Sequence, residues 1–255
     1  MAIAIFVILL LGTCLFLYMV REAFLNNVVF HEMTFSDFPE SFKQVSIFFI
    51  SDIHKRLISD TIISTVSGKA DIVIIGGDLT EKGVPMDRVK KNLNKLKSLG
   101  PVYFVWGNND YETDFRMLDA IFLDSGVKVL DNTAVTFESE TGDKLCLLGV
   151  DDLNQERDRL DLALLDAGEK SFKILASHYP WITEKILPEH EIRLVLSGHT
   201  HGGQIHIFGY SPYEKGKVKK IENTTILISN GYGTTSLPLR LGAPAECHLI
   251  TIKNG

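Results

Sequence analysis

The chain has 255 residues, 45% of them hydrophobic and 23% charged, a balance that excludes a disordered polypeptide. Its formal net charge is −6, and binding to a nucleic-acid backbone, which needs a basic face to displace counterions, is not expected. The three cysteines, Cys14, Cys146 and Cys247, have neither the spacing of a metal knuckle nor that of a disulfide framework.

The first element is apolar. Met1–Val20 contains no charged side chain, and Arg21 follows at once. At about 1.5 Å per residue such a helix spans roughly 30 Å, the thickness of a bilayer's hydrocarbon core. No basic region precedes the run and no small-x-small site ends it. Residues 1–21 are therefore expected to form an uncleaved, single-pass membrane anchor, with a cleaved signal as the alternative. Arg21 is the one basic residue beside the span, so the positive-inside rule puts the globular part in the cytoplasm. Residues 22–44, with the strand-like run VVFHEMTF, are expected to pack on a domain covering 45–255.

Within that domain, short β-rich runs alternate with helical patterns. Val45–Ser51, Asp71–Gly77, Val102–Gly107, Phe172–Ser177 and Ile192–Ser197 are continuous apolar runs, as expected for strands buried on both faces. Val89, Leu93 and Leu96 fall on one helical face, as do Phe115, Leu118 and Phe122, with Thr113 as a helix N-cap. The alternation indicates an α/β fold. From Val127 to Val150, three strand-like runs separated by short turns predict a local antiparallel meander. Lys215, Lys217, Lys219 and Lys220 read as the solvated rim of a loop.

The decisive pattern lies at the ends of the apolar runs. They lead in turn into Asp52-Ile53-His54, Asp78, Asn108-Asn109-Asp110, His178, and Gly198-His199-Thr200-His201. Parallel strands bring their carboxyl ends onto one rim, where α/β folds hold their functional crevice. Two carboxylates, one amide and four imidazoles form a mixed nitrogen and oxygen set suited to Mn, Fe or Zn. Asp78 is the natural carboxylate to bridge two cations about 3.5–4 Å apart. Any one of these pieces also has a structural explanation, because a lone His or a Gly-Asp turn is common. Five in this order are hard to obtain from structural needs alone.

These motifs resemble the calcineurin-like metallophosphoesterase superfamily from about Ile47 to the C-terminus. The run Gly198–Gln204 and the late Arg240–Glu246 are similar to its bacterial membrane-associated, YkuE-like branch. The resemblance implies a four-layer α/β/β/α sandwich of two mixed sheets, with a dinuclear site on the rim. It implies that Asp52, His54 and His201 hold one divalent metal and Asn108, His178 and His199 a second, with Asp78 bridging. Mn²⁺ is the expected metal, with Fe, Zn or a mixed pair as alternatives. The implied reaction is hydrolysis of a phosphoester or pyrophosphate by a hydroxide held between the metals, and the branch implies lipid-linked or nucleotide-lipid substrates at a membrane.

One position departs from the family. Its third block usually reads Gly-Asn-His-Asp or Gly-Asn-His-Glu, whereas here the His position is Asn109, followed by Asp110. An amide cannot act as an acid, though it can hydrogen-bond a phosphoryl oxygen. This leaves three readings. The substrate is a diester or pyrophosphate whose leaving group needs less protonation, or His206 substitutes as the acid, or the domain is a catalytically weak metal-dependent binding scaffold. A phosphomonoesterase or protein phosphatase is disfavoured by the missing acid. Asp110 is expected to orient a ligand or Asn109. Arg240 is read either as a phosphate or headgroup contact or as an ion pair with Glu246. Gly202-Gly203 offers backbone N–H groups to a phosphate, or else a tight turn.

Overall fold

The structure, a computed structural model, describes all residues from Met1 to Gly255. It opens with helix α1 (Ala2–Ala23), strand β1 (Asn27–Phe35) and strand β2 (Gln44–Ile50). Then come α2 (Asp60–Val66), β3 (Ile72–Ile75), α3 (Met86–Lys97), β4 (Val102–Phe104), α4 (Phe115–Ser125) and β5 (Lys128–Val129). The second half comprises β6 (Thr133–Glu138), β7 (Lys144–Gly149), α5 (Leu160–Ala167), β8 (Phe172–Ala176) and β9 (Ile192–Ser197). It closes with β10 (Lys217–Ile221), β11 (Thr224–Ile228) and β12 (Glu246–Asn254).

These strands form two six-stranded mixed sheets, ordered β1-β12-β2-β3-β4-β5 and β10-β11-β9-β8-β7-β6. Alternation along β2 explains the layering. Ile47 and Phe49 point into a core shared with Leu147, Ile174, Leu194 and Leu227 of the second sheet. Phe48 and Ile50 point the other way, beneath Ile62 of α2, Leu93 of α3 and Leu118 of α4. A third cluster packs α5 on the outer face of the second sheet. The result is the expected α/β/β/α sandwich.

In both sheets the parallel strands, β2 to β5 and β7, β8, β9 and β11, point their carboxyl ends to one rim. β12 runs antiparallel to β2 and parallel to β1, so those two strands begin at that rim. The segment before Val45 thus supplies an edge strand of the first sheet, and the apolar α1 ends on the rim side with mean hydropathy 2.8.

Four sequence expectations need correction. The meander does not form, because Lys128-Val129 pairs in parallel with β4, leaving only the β6–β7 hairpin, which edges the other sheet. α4 is capped by Asp114, whose carboxylate accepts from Met117 N at 3.1 Å, while the Thr113 hydroxyl turns back to Asp110 O. Phe115 sits in the first turn and is 42% exposed, so only Leu118 and Phe122 of that trio reach the core. Lys217, Lys219 and Lys220 lie on an exposed edge strand rather than a loop, where charges discourage edge-to-edge pairing.

Where β1 meets β12, His31 Nε2 and His248 Nδ1 lie 3.1 Å apart, and His248 Nε2 bonds the Ser229 hydroxyl at 2.9 Å. Burial, then His31, pulls the His248 pKa down to about 3. Glu246, 3.7 Å away, is itself pushed by burial towards its neutral form and does not hold a proton on the ring. The unfolded chain takes up this proton near pH 6.5 and the folded chain does not, so stability falls as pH drops below 6.5 towards 3. At pH 5 the loss from this ring should be about 2 kcal/mol, at about 1.4 kcal/mol per pH unit. Urea unfolding of His248→Gln at pH 7 and pH 5 should show a shallower pH dependence than the wild type; an unchanged slope would exclude the ring as its source.

Candidate metal centre

The rim gathers all seven expected ligands. Asp52 and His54 follow β2, Asp78 follows β3, Asn108 follows β4, His178 follows β8, and His199 and His201 follow β9. Nε2 of His54 and Nε2 of His201 lie 3.1 Å apart, with Asp52 Oδ1 3.4 Å from the latter. Asp78 Oδ2 is 3.7 Å from His54 Nε2 and 3.3 Å from His178 Nε2, the carboxylate lying between the two groups of imidazoles. His199 Nδ1 approaches His178 Nε2 at 3.3 Å. Asp52, His54 and His201 can converge on one ion, as can Asp52, Asp78 and His178.

The backbone gives independent support. Asp52, His54, Asp78, His199 and His201 all have positive φ, between 50° and 67°. Left-handed backbone is uncommon outside glycine, although Asp and His tolerate it better than most, and such strain clusters at functional sites. Gly77 explains part of this local architecture. At φ 83° it takes a conformation closed to most side chains, and a Cβ there would lie 2.6 Å from His178 Nδ1.

Polar groups behind the rings aim them. His178 Nδ1–H donates to Gly76 O at 2.8 Å, leaving Nε2 to face Asp78. Glu81 Oε2 sits 3.0 Å from His54 Nδ1, within ion-pair reach though not aligned for a hydrogen bond. Tyr179 donates its hydroxyl to Asn108 Oδ1 at 3.0 Å and lays its ring 4.0 Å from that of His199. Asp152, at the end of β7, is fully buried near His178 and keeps one carboxylate oxygen without a partner. Sequence reasoning missed Glu81, Tyr179 and Asp152. Only Asp152 has a readable signal, since Asp151-Asp152 follows an apolar strand as the expected ligands do.

Electrostatics separate the histidines. Burial, then neighbouring cationic His178, pulls His199 down to about 4, and burial pulls His201 down to about 3, so both keep free lone pairs at neutral pH. For His178 burial acts downward, but the Asp78 carboxylate beside it prevails and pushes the ring up to about 10. Burial alone would raise the Asp52 and Asp78 carboxyls; the surrounding imidazoles hold both below the usual carboxylate range. Two carboxylates kept ionised in the interior, facing clustered ring nitrogens, are a donor set that fits divalent cations well.

The residues beside the ligands have other roles than expected. Asp110 orients no ligand side chain. It accepts from the backbone N–H of Asp78 (2.8 Å), Gly107 (3.0 Å) and Thr80 (3.1 Å), clamping two ligand loops together, and burial next to Asp78 pushes its carboxyl up to about 8. Asn109 donates to Asp78 twice, from its backbone N–H to Oδ1 at 2.8 Å and from Nδ2 to Oδ2 at 3.3 Å. It lines a cavity of about 280 Å³ with Asp78, Asn108, His199, His201 and Tyr213. His206 does not line it. Its Nε2–H donates to Gly202 O at 2.7 Å, and the ring borders a separate depression beside Glu214 and Lys217.

Arg240 fits neither expectation. It is fully buried and makes no ion pair with Glu246; its guanidinium donates to the carbonyls of His201, Asn230, Gly231, Gly233 and Ala243. The Gly202 and Gly203 N–H groups bond Thr200, and a Cβ on either would collide with Asn230 or Ser211, so this pair serves a tight turn.

Known proteins are similar to this chain in sequence. The profile described as Calcineurin-like phosphoesterase matches residues 45–203. A Bacillus subtilis (strain 168) protein, described as uncharacterized protein YpbG, is 47% identical over 210 residues, covering 82% of this chain and 81% of that protein. A Danio rerio protein, described as a transmembrane protein with metallophosphoesterase domain, is 31% identical over 250 residues, covering 89% of this chain and 57% of its own length. A Helicobacter pylori (strain ATCC 700392 / 26695) protein, described as an uncharacterized metallophosphoesterase, is 33% identical over 224 residues, covering 80% of this chain and 58% of that one. The chain therefore spans a little over half the length of the last two. These likenesses bear on the superfamily and not on the narrower YkuE-like branch.

Proposed function

This chain belongs to the calcineurin-like phosphoesterase family, a family of metal-dependent phosphoesterases, and we propose that it hydrolyses phosphodiester or pyrophosphate bonds at a membrane. What supports the reading is that Asp52, His54, Asp78, His178 and His201 cluster closely enough to hold metal, and that Asn109, where the family's acid would be a histidine, lines a cavity with Asp78, Asn108 and His199. Asp52, His54 and His201 would hold one divalent cation and Asn108, His178 and His199 the other, with Asp78 between them. We assign Mn²⁺ as the preferred ion. When bound, such a pair supplies an activated water and opposes the charge building on the phosphoryl oxygens.

The chain's own residues do the rest. The hydrogen bond to Gly76 O holds the His178 ring in place, and the Glu81 carboxylate lies behind the His54 ring within ion-pair reach. Asp110 holds the Asp78 and Asn108 loops in register. Asn109 sits at the cavity wall with an amide that can donate to a phosphoryl oxygen but cannot protonate a leaving alkoxide. With His206 turned to Gly202, a leaving group that departs without a protein acid is favoured, as in an activated diester or a pyrophosphate. α1 supports a single-pass anchor at the cell membrane, Arg21 a cytoplasmic domain over 45–255, and the anchor a lipid-linked substrate.

A panel of monoesters, diesters, pyrophosphates and phosphopeptides assayed with Mn²⁺ tests the substrate class. Hydrolysis of phosphopeptides with diesters left intact would favour a protein phosphatase instead. Asn109→His restores an imidazole at the cavity wall. Because general acid catalysis is worth roughly 10²–10⁴-fold, the monoester to diester ratio of kcat/KM should rise by about tenfold or more. An unchanged ratio would sink the leaving-group argument.

A further inference from the structure

The membrane helix joins the body at the catalytic end of the sheets. α1 ends shortly before β1, which starts at the rim where β2 delivers Asp52. Its last turn is fastened there. Arg240 N–H donates to Met19 O at 3.0 Å, Ala245 N–H donates to Glu22 O at 3.2 Å, and Arg56 donates to the carbonyls of Ala23, Phe24 and Leu25. The helix before that turn is exposed along its length.

Loops leaving the same rim carry large apolar side chains that the fold does not cover. Phe208 is 98% exposed, Tyr210 83%, Leu237 63% and Ile207 61%. Exposed apolar groups clustered beside one site mark an interaction surface. The two loops are tied together, since Gln204 Nε2 donates to the carbonyls of Thr235 and Leu237 and Ile205 bridges Leu241. They also wall the catalytic cavity through Gln204, Tyr213 and Thr235.

On the other side of Thr234–Pro238 lies a second cavity, of about 620 Å³, bounded by Phe24 at the end of α1 and by Lys55, Arg56 and Arg88. The Arg56 guanidinium is committed to main-chain carbonyls and Asn26, and Lys55 pairs with Glu81 at 2.6 Å, whereas Arg88 spends one N–H on Lys55 O and has no carboxylate partner, so its charge is left for an anion. Cations directly beside a span favour anionic headgroups.

We propose that this rim is a second membrane contact. Ile207, Phe208, Tyr210 and Leu237 enter the headgroup layer of the bilayer that holds α1, and Arg88 faces its phosphates. The catalytic cavity then opens onto the membrane surface and takes an amphiphilic phosphoester whose tail stays in the lipid. The proposal rests on the anchored phosphoesterase reading above, and continuity with the anchor commits the surface to a bilayer.

The test uses the full-length chain in vesicles of phosphatidylcholine and phosphatidylglycerol, with an environment-sensitive fluorophore on single cysteines. Native Cys14, exposed on α1, reports on the anchor, while Cys146 and Cys247 are buried and escape labelling. In a Cys14→Ser background, Phe208→Cys and Leu237→Cys report on the rim. Leu165→Cys is the control, an apolar residue 79% exposed on α5 near the opposite end of the sheets. Interfacial side chains sit about 5–10 Å deep, so a headgroup-level lipid quencher should dim positions 208 and 237 at least about twofold more than position 165. Equal quenching at all three, with Cys14 shielded from aqueous iodide, would overturn the rim contact and leave the anchor standing. Cys14 as open to iodide as position 165 would overturn the anchor, and the rim contact with it.

Discussion

Asp78→Asn should abolish hydrolysis without unfolding the chain. Asp78 is the carboxylate that faces both His54 and His178, and its side chain fixes Asn109 through two hydrogen bonds. An amide keeps the shape and one acceptor oxygen but loses the charge that would hold two cations together. The backbone should persist, because Asp110 still accepts from the residue's N–H and Asn tolerates the φ of 51° as readily as Asp. Loss of one oxyanion donor alone commonly costs about 10²–10³ in rate, so removing the shared anion should cost on the order of a thousandfold or more. The check is kcat/KM for bis(p-nitrophenyl) phosphate with Mn²⁺, beside a circular dichroism spectrum matching the wild type. A folded variant within about tenfold of wild-type activity would refute the bridging role and leave the scaffold reading in better standing.

Arg240→Met should be the most damaging substitution for stability. The guanidinium stays charged at neutral pH, although burial pulls its pKa down to about 10, and it satisfies five carbonyl oxygens in the interior. Methionine matches much of the volume and none of the donors. Each buried carbonyl left unpaired costs about 1–3 kcal/mol, partly relieved by water, so a net loss of about 3–5 kcal/mol is expected. For a domain of this size that lowers Tm by roughly 10 °C. Because the Arg240 guanidinium also reaches the carbonyl and Nδ1 of His201, the variant should weaken metal affinity as well. A thermal shift below about 2 °C would mean that the carbonyl cage closes without its arginine.

The expected ligands are legible because each follows a buried apolar run, and such runs are what a sequence marks best. The layering comes from the same runs. The hidden parts depend on contacts without a local pattern. Backbone carbonyls leave no trace in a sequence, so Arg240 reads as a partner for a phosphate or for Glu246 when its partners are main-chain oxygens. Asp110 reads as a side-chain partner for the same reason, although it binds three N–H groups. Glu81 and Tyr179 reach His54 and Asn108 only after the sheets close. The meander fails at β5, where two residues suffice to extend a parallel sheet and no periodicity can be read from two residues. His206 illustrates the converse: close to His201 in the chain, it is turned away by a tight bend at Gly202-Gly203 and bonds that bend's own carbonyl.

The rim is proposed to be a divalent-metal site that hydrolyses phosphoesters. The most direct test of this is diester hydrolysis by the full-length chain, stripped with chelator and then titrated with Mn²⁺. Activity should be absent at the start and rise to a plateau near two equivalents, the number expected when one carboxylate bridges a pair of ions. Hydrolysis that persists in chelator, or a metal-loaded protein that leaves every diester and pyrophosphate intact, would contradict it.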